Sequence, residues 1–166
     1  YYGVQALRAK ENFPITGTKL HPVFIKNLAK IKRAAAITNR KAGRLKPEIA
    51  NAIEASANEV ICGMFDKDFI VDGIQGGAGT SANMNMNEVI ANRAIEMLCG
   101  KKGDYTIVHP NDHVNMAQST NDVIPTAGKL TVLDLLKPLD KSLSLLTDAL
   151  YDKAAAFDHI VKIGRT

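Results

Sequence analysis

The sequence predicts a mainly α fold. Three observations carry this: apolar residues recur at steps of three and four in four separate stretches, proline and glycine punctuate those stretches, and the last stretch carries a long heptad seam. The first predicted helix runs from Val23 to Ala42, with Phe24, Leu28, Ile31 and Ala35 as its stripe, Pro22 at its start and Gly43 after its end. Pro47 opens the second, whose stripe is Ile49, Ile53, Ala57, Val60 and Met64, with Gly63 near its end. The third follows Gly79 and runs from about Ser81 to Leu98, with Met86, Ile90, Ala94 and Met97 on one side. A polar, irregular stretch covers about Lys101 to Asn121. Short strands are expected at Tyr105–Val108 and at Ile160–Ile163.

From Asp122 to about Phe157, Val132, Leu136, Leu139, Leu143, Leu146 and Leu150 form the heptad seam, and Leu130, Leu133, Leu135 and Leu145 widen it. Burying one leucine is worth about 1.5–3 kcal/mol, so this face is expected to meet partners: other subunits, further sequence, or both. Pro138 lies within it, and an interior proline removes a backbone donor and clashes with the preceding turn. A bend or break is expected there. The predicted division is 1–121 as one domain and 122–166 as the start of a helical bundle.

Composition excludes several classes. Of 166 residues, 46% are hydrophobic and 23% charged, which is a globular rather than a disordered balance. The net charge of +4 is spread along the chain without a basic run, so no nucleic-acid partner is expected. No apolar stretch approaches the roughly 20 residues of a membrane helix, so no membrane partner is expected. Cys62 and Cys99 lack CxxC spacing and read as two buried free thiols, which suits a cytoplasmic location. No signal peptide is visible. The chain opens at Tyr1-Tyr2-Gly3 without Met and stops at Gly164-Arg165-Thr166, so both ends are expected to be cut ends of a longer subunit.

Two segments carry the chemistry. Gly76-Gly77-Ala78-Gly79-Thr80-Ser81 allows a tight, positive-φ approach to a helix start, which Thr80 or Ser81 can cap. It has neither the lysine of a Walker A loop nor a GxGxxG pattern. Asn83, Asn85, Asn87 and Asn92 follow within the helix, as either a solvated face or a lattice holding neighbouring loops. The second segment runs from His109 to Asp122. Ser119 with Asp122 resembles a capping box, so a second helix start is fronted by the hydroxyls of Ser119 and Thr120 and the carboxamide of Asn121. Neutral donors backed by a helix dipole suit a small carboxylate better than a polyphosphate. His109 and His113 stand four apart, but Pro110 argues against a helix there and no third ligand is evident, so no metal is expected. His21 and His159 read as surface or packing residues.

At these segments the chain resembles the aspartase/fumarase superfamily. Gly79 to Asn85 with Asn87 to Ala94 is similar to its first conserved block, His109 to Asp122 to its second, and Gly164-Arg165-Thr166 to the start of a third. Gly79-Thr80-Ser81, Ser119-Thr120-Asn121 and the opening Tyr1 to Phe13 resemble the aspartase branch more than the fumarase branch. The resemblance implies the N-terminal helical domain of that fold plus the first long helix of a central bundle, within a homotetramer assembled through long helices. It implies elimination of ammonia from L-aspartate to give fumarate; hydration of fumarate is the alternative within the superfamily. A non-catalytic helical oligomerisation module is the alternative outside it.

The resemblance assigns Thr80, Ser119 and Thr120 to the β-carboxylate, Asn121 with Thr80 to the ammonium, and Thr166 to the α-carboxylate. Each site combines segments from three subunits. The catalytic serine base and a histidine are expected beyond Thr166, so no catalytic residue is expected in this chain and alone it is expected to be inactive. His109, Asn111 and Asp112 match a second anion site of fumarases. No cofactor is implied, and divalent-cation activation is not legible in the residues.

Overall fold

In the computed structural model, which describes residues 1–165, the chain is helical, with no strand among the described residues. In order the helices are α1 (Val4–Asn12), α2 (Pro22–Lys41), α3 (Pro47–Ile61), α4 (Thr80–Met97) and α5 (Thr120–Phe157), with short turns at Asp66–Asp68, Gly77–Gly79 and Pro110–Val114. The expected strands are absent: Tyr105–Val108 is turn and bend, and Ile160–Ile163 is irregular. Neither segment has a neighbouring strand to take up its backbone donors and acceptors.

Proline starts α2 and α3, where its missing N–H would be unpaired in any case. The Nδ1 atom of His21 accepts from the Val23 N–H at 3.2 Å and caps α2. Gly43 and Gly63, at φ 68° and 82°, take the left-handed position just past α2 and α3. The buried stripe of α2 is Ile25, Leu28, Ala29, Lys32, Ala36 and Asn39, offset from the predicted one, while Phe24 and Ile31 are half-buried. Polar residues at core positions hid the true face from an apolar pattern.

The two cysteines are exposed rather than buried, because both fall at helix ends instead of on a core stripe: Cys62 caps α3, and Cys99 lies beyond α4 at φ 61°. Met64, also predicted in a stripe, lies past α3 and is exposed.

The core centres on α4, which packs against α1, α2, α3 and the Pro110–Val114 turn. It is buried on nearly every side from Ala82 to Ile95, and its asparagines are buried with it. Asn85 donates to the Asp68 carbonyl and accepts from the Ile70 N–H. Asn92 donates to the Tyr1 carbonyl and accepts from the Gly103 N–H. Glu88 accepts from Gly3, Gln5 and Ala6 at 2.8–3.0 Å, satisfying the otherwise unpaired N–H groups at the start of α1. A Cβ on Gly3 would stand 2.6 Å from the Glu88 carboxyl carbon, so any larger residue there would displace the carboxylate that caps α1. Of the two readings of the asparagines, the loop-holding lattice is the correct one for Asn83, Asn85 and Asn92, whereas Asn87 is buried but donates to Met84 within its own helix.

The described chain forms two compact units, Tyr1–Thr131 and the segment from Val132 onward. Within the first, the opening turns of α5 bury Val123, Ala127 and Thr131. In the second, Leu133, Leu136, Leu139, Leu143, Leu146 and Leu150 are all exposed. The helix runs unbroken through Pro138, with the Ser142 hydroxyl donating to the Pro138 carbonyl at 3.0 Å. On an exposed helix, water can satisfy the carbonyl that loses its partner to proline.

Candidate functional site

The Gly-rich turn before α4 is built from left-handed residues: Gly77, Ala78 and Gly79 at φ 65°, 53° and 87°. Asp72 organises the approach. Its carboxylate accepts from the Thr16 hydroxyl and from the N–H groups of Ile74, Thr16 and Gly17, which together hold it well below the usual carboxylate range. Gln75 donates to the Asp72 carbonyl, and its side-chain oxygen accepts from the Ala82 N–H at 2.8 Å. Gln75 therefore caps α4 from outside the helix, where Thr80 or Ser81 was expected to do so. The N-cap is Gly79, and the Thr80 hydroxyl instead donates to the Gly77 carbonyl at 2.6 Å.

The second segment caps its helix nearly as expected, with the carboxylate half of a capping box formed and the Ser119 hydroxyl serving Asn121 rather than Asp122. Asp122 accepts from the Ser119 N–H at 3.0 Å, and the Ser119 hydroxyl accepts from the Asn121 N–H at 3.2 Å. Asn115 and Gln118 hold the preceding loop: Asn115 donates to the Gln118 carbonyl, and Gln118 donates to the carbonyls of Val114 and Met116.

The starts of α4 and α5 meet. A Cβ on Gly79 would stand 2.9 Å from Ile124 of α5, so glycine permits the close approach. Asn83 donates to the Thr120 hydroxyl oxygen and to the Asn115 side-chain oxygen, both at 3.2 Å. With a lone pair of Thr120 so engaged, its proton is free to point elsewhere. Thr80, Ser119 and Asn121 are exposed in the single chain, and Thr120 is half-buried. Thr166 lies outside the described residues.

His109 caps a turn that the sequence reading did not expect. Pro110 begins a single π-helical turn, and the His109 Nδ1 accepts from Asn111 and Asp112 at 3.2 and 3.1 Å. Asp112 stands 3.3 Å from the same nitrogen. The His113 Nδ1 accepts from the His109 N–H at 2.9 Å, and burial pushes its pKa down. Both histidines thus use one ring nitrogen for local structure, and Asn111 and Asp112 are exposed. Among the described residues no group of three His, Cys, Asp or Glu side chains could hold a metal ion. No helix among them is long and apolar enough to cross a membrane.

Sequence reasoning missed Lys32 and Asn115. Lys32 is fully buried, and its ammonium donates to the Asn115 oxygen at 2.7 Å. Its position three residues after Ala29 and four before Ala36, on the core stripe of α2, was the available signal.

Known proteins extend this picture. The lyase family profile matches residues 1–166. The chain is 53% identical to an aspartate ammonia-lyase of Bacillus subtilis, with all of this chain and 35% of that protein covered. It is also 53% identical to a class II fumarate hydratase of Halobacterium salinarum, again covering all of this chain and 35% of that protein. A solved fumarate lyase:delta crystallin from Brucella melitensis superposes with a TM-score of 0.93 at 47% identity, covering all of this chain and 39% of that one. The chain spans about a third of the length of the curated relatives it matches. With the profile matched along every residue and the same helical fold found at 47% identity, the chain belongs to the lyase family of the aspartase/fumarase superfamily.

Proposed function

We propose that this chain is the N-terminal part of an aspartate ammonia-lyase, which eliminates ammonia from L-aspartate to give fumarate. The observation that supports this reading best is the meeting of two helix starts, where Thr120 accepts from Asn83 and keeps its own proton available as a donor. In the elimination a base removes a proton from Cβ, the β-carboxylate gains a second negative charge, and ammonia leaves from Cα. Fixed neutral donors are suited to that developing charge, and each one can be worth about 3 kcal/mol in the transition state. Thr80, Ser119 and Thr120 hold the β-carboxylate, Asn121 with Thr80 holds the ammonium, and Thr166 binds the α-carboxylate. The base belongs to sequence beyond this chain. Residues 122–166 begin the central helical-bundle domain, and the exposed leucines of α5 meet other subunits of a homotetramer. No cofactor enters these steps.

The test is a full-length lyase bearing this segment, assayed by the ultraviolet absorbance of fumarate. Ser119→Ala and Thr120→Ala should each lower kcat by roughly a hundredfold. Normal turnover in both variants would refute the site. A second reading, fumarate hydratase, has the support of the 53% identity to a hydratase. Turnover of malate in place of aspartate would select it. Failure of aspartate or succinate to bind the assembled protein would favour a non-catalytic oligomerisation module.

A further inference from the structure

Lys32 is a lysine in the wrong place for a structural residue. It occupies a core position of α2 with no exposed surface, and among the described residues no carboxylate pairs with it. A lysine amine is seldom buried unpaired, because desolvation strongly disfavours its charge. Burial accordingly lowers its pKa to about 7. The contact it makes is with Asn115, at 2.7 Å.

That contact has a direction. As an ammonium, the form it takes below about pH 7, Lys32 donates and cannot accept. The atom of Asn115 facing Lys32 must therefore be its oxygen, which leaves the Asn115 nitrogen to donate to the Gln118 carbonyl, at 3.2 Å. The same Asn115 oxygen is 3.2 Å from Asn83, so Asn83 must present its nitrogen. The second hydrogen on that nitrogen points to the Thr120 hydroxyl oxygen, also at 3.2 Å. Thr120 must then accept, and its own proton is turned away from Asn83. The Gln118 carbonyl, which can only accept, selects the same orientation of Asn115 from the other side, so Lys32 and Gln118 hold that amide between them and Asn83 follows. The side-chain oxygen of Asn83 is buried without a hydrogen-bond partner, so the chosen arrangement leaves a polar atom unsatisfied.

We propose that Lys32 is a positioning residue for the lyase reaction, holding the Asn115 amide together with the Gln118 carbonyl and, through Asn83, turning the Thr120 hydroxyl toward the substrate carboxylate. This rests on the reading of Thr120 as a carboxylate donor. The test is a double-mutant cycle in a full-length lyase bearing this segment: Lys32→Met, Thr120→Ala and the pair together. Methionine keeps the unbranched stem and removes the buried amine, so melting temperature and assembly should be retained. Lys32→Met should lower kcat by about tenfold or more with a smaller change in KM, as expected when a reacting group is held off its productive orientation. In the Thr120→Ala background the same change should produce no further loss, because its target is gone.

Unchanged kcat in Lys32→Met, beside a large loss in Thr120→Ala, would overturn the proposal and leave the site intact. So would losses that multiply in the double variant, which is the pattern of an independent structural effect. Normal kcat in Thr120→Ala would bring down the functional reading, and this inference with it. If the methionine variant does not fold, Lys32→Gln serves the same cycle, since a glutamine amide can face Asn115 with either atom.

Discussion

Lys32 and Glu88 are both buried ionisable side chains, and the fold treats them in opposite ways. Glu88 has three backbone donors around its carboxylate. Removing it strands those donors, so Glu88→Ala should lower stability by about 3 kcal/mol, with Glu88→Gln losing less. Urea denaturation measures both. Lys32 carries a pKa near 7 in place of the ordinary 10.5. Between those values the unfolded chain holds a proton that the folded chain lacks. Stability should therefore rise as pH climbs through this window, and fall as pH drops through it, by at most about 1.4 kcal/mol per pH unit. Lys32→Met should flatten that slope, which urea midpoints across the window would reveal. An unchanged slope would mean that Lys32 is solvated.

The helix starts decide the chemistry at the next scale. Gly79 has a left-handed φ of 87° and also sits against Ile124, whereas Gly103 has a φ of 90° with open space around its Cβ position. Alanine at Gly103 should cost only the backbone strain, about 1–2 kcal/mol. Alanine at Gly79 should cost more and push α4 from α5, separating Asn83 from Thr120. Gly79→Ala should therefore lose activity out of proportion to its stability, while Gly103→Ala should not; parallel melting and turnover measurements compare them. Four of the five helices and the ends of α2 and α3 were legible from apolar spacing and from proline and glycine. The α1 helix was not. Its burial depends on Ala6 and on Glu88, which is 82 residues away, and local pattern cannot report that. The capping of α4 by Gln75 escaped for a similar reason, since a cap from outside the helix leaves no short-range signature.

The segment from Val132 onward presents an apolar face that is exposed among the described residues. Leu139, Leu143 and Leu146 are each more than half exposed, at 51%, 53% and 56%. Burying such leucines against other copies would recover about 1.5–3 kcal/mol each. The 166-residue chain is expected to self-associate in sedimentation velocity, and Leu139→Glu with Leu146→Glu should shift it toward monomer. A monomer before any substitution would count against the bundle reading.

Sequence alone determined the helical class, the seam of α5, and the hydroxyl and amide residues at two helix starts, because periodicity and turn chemistry are local properties. The joining of those starts is a tertiary fact. It needs glycine at position 79 to admit Ile124, and α4 to carry Asn83 to Thr120. Only the packed structure shows that Lys32 is buried and bonded to Asn115, a residue 83 positions away. Burial and hydrogen-bond direction depend on what surrounds a side chain in space, and no spacing along one helix records them.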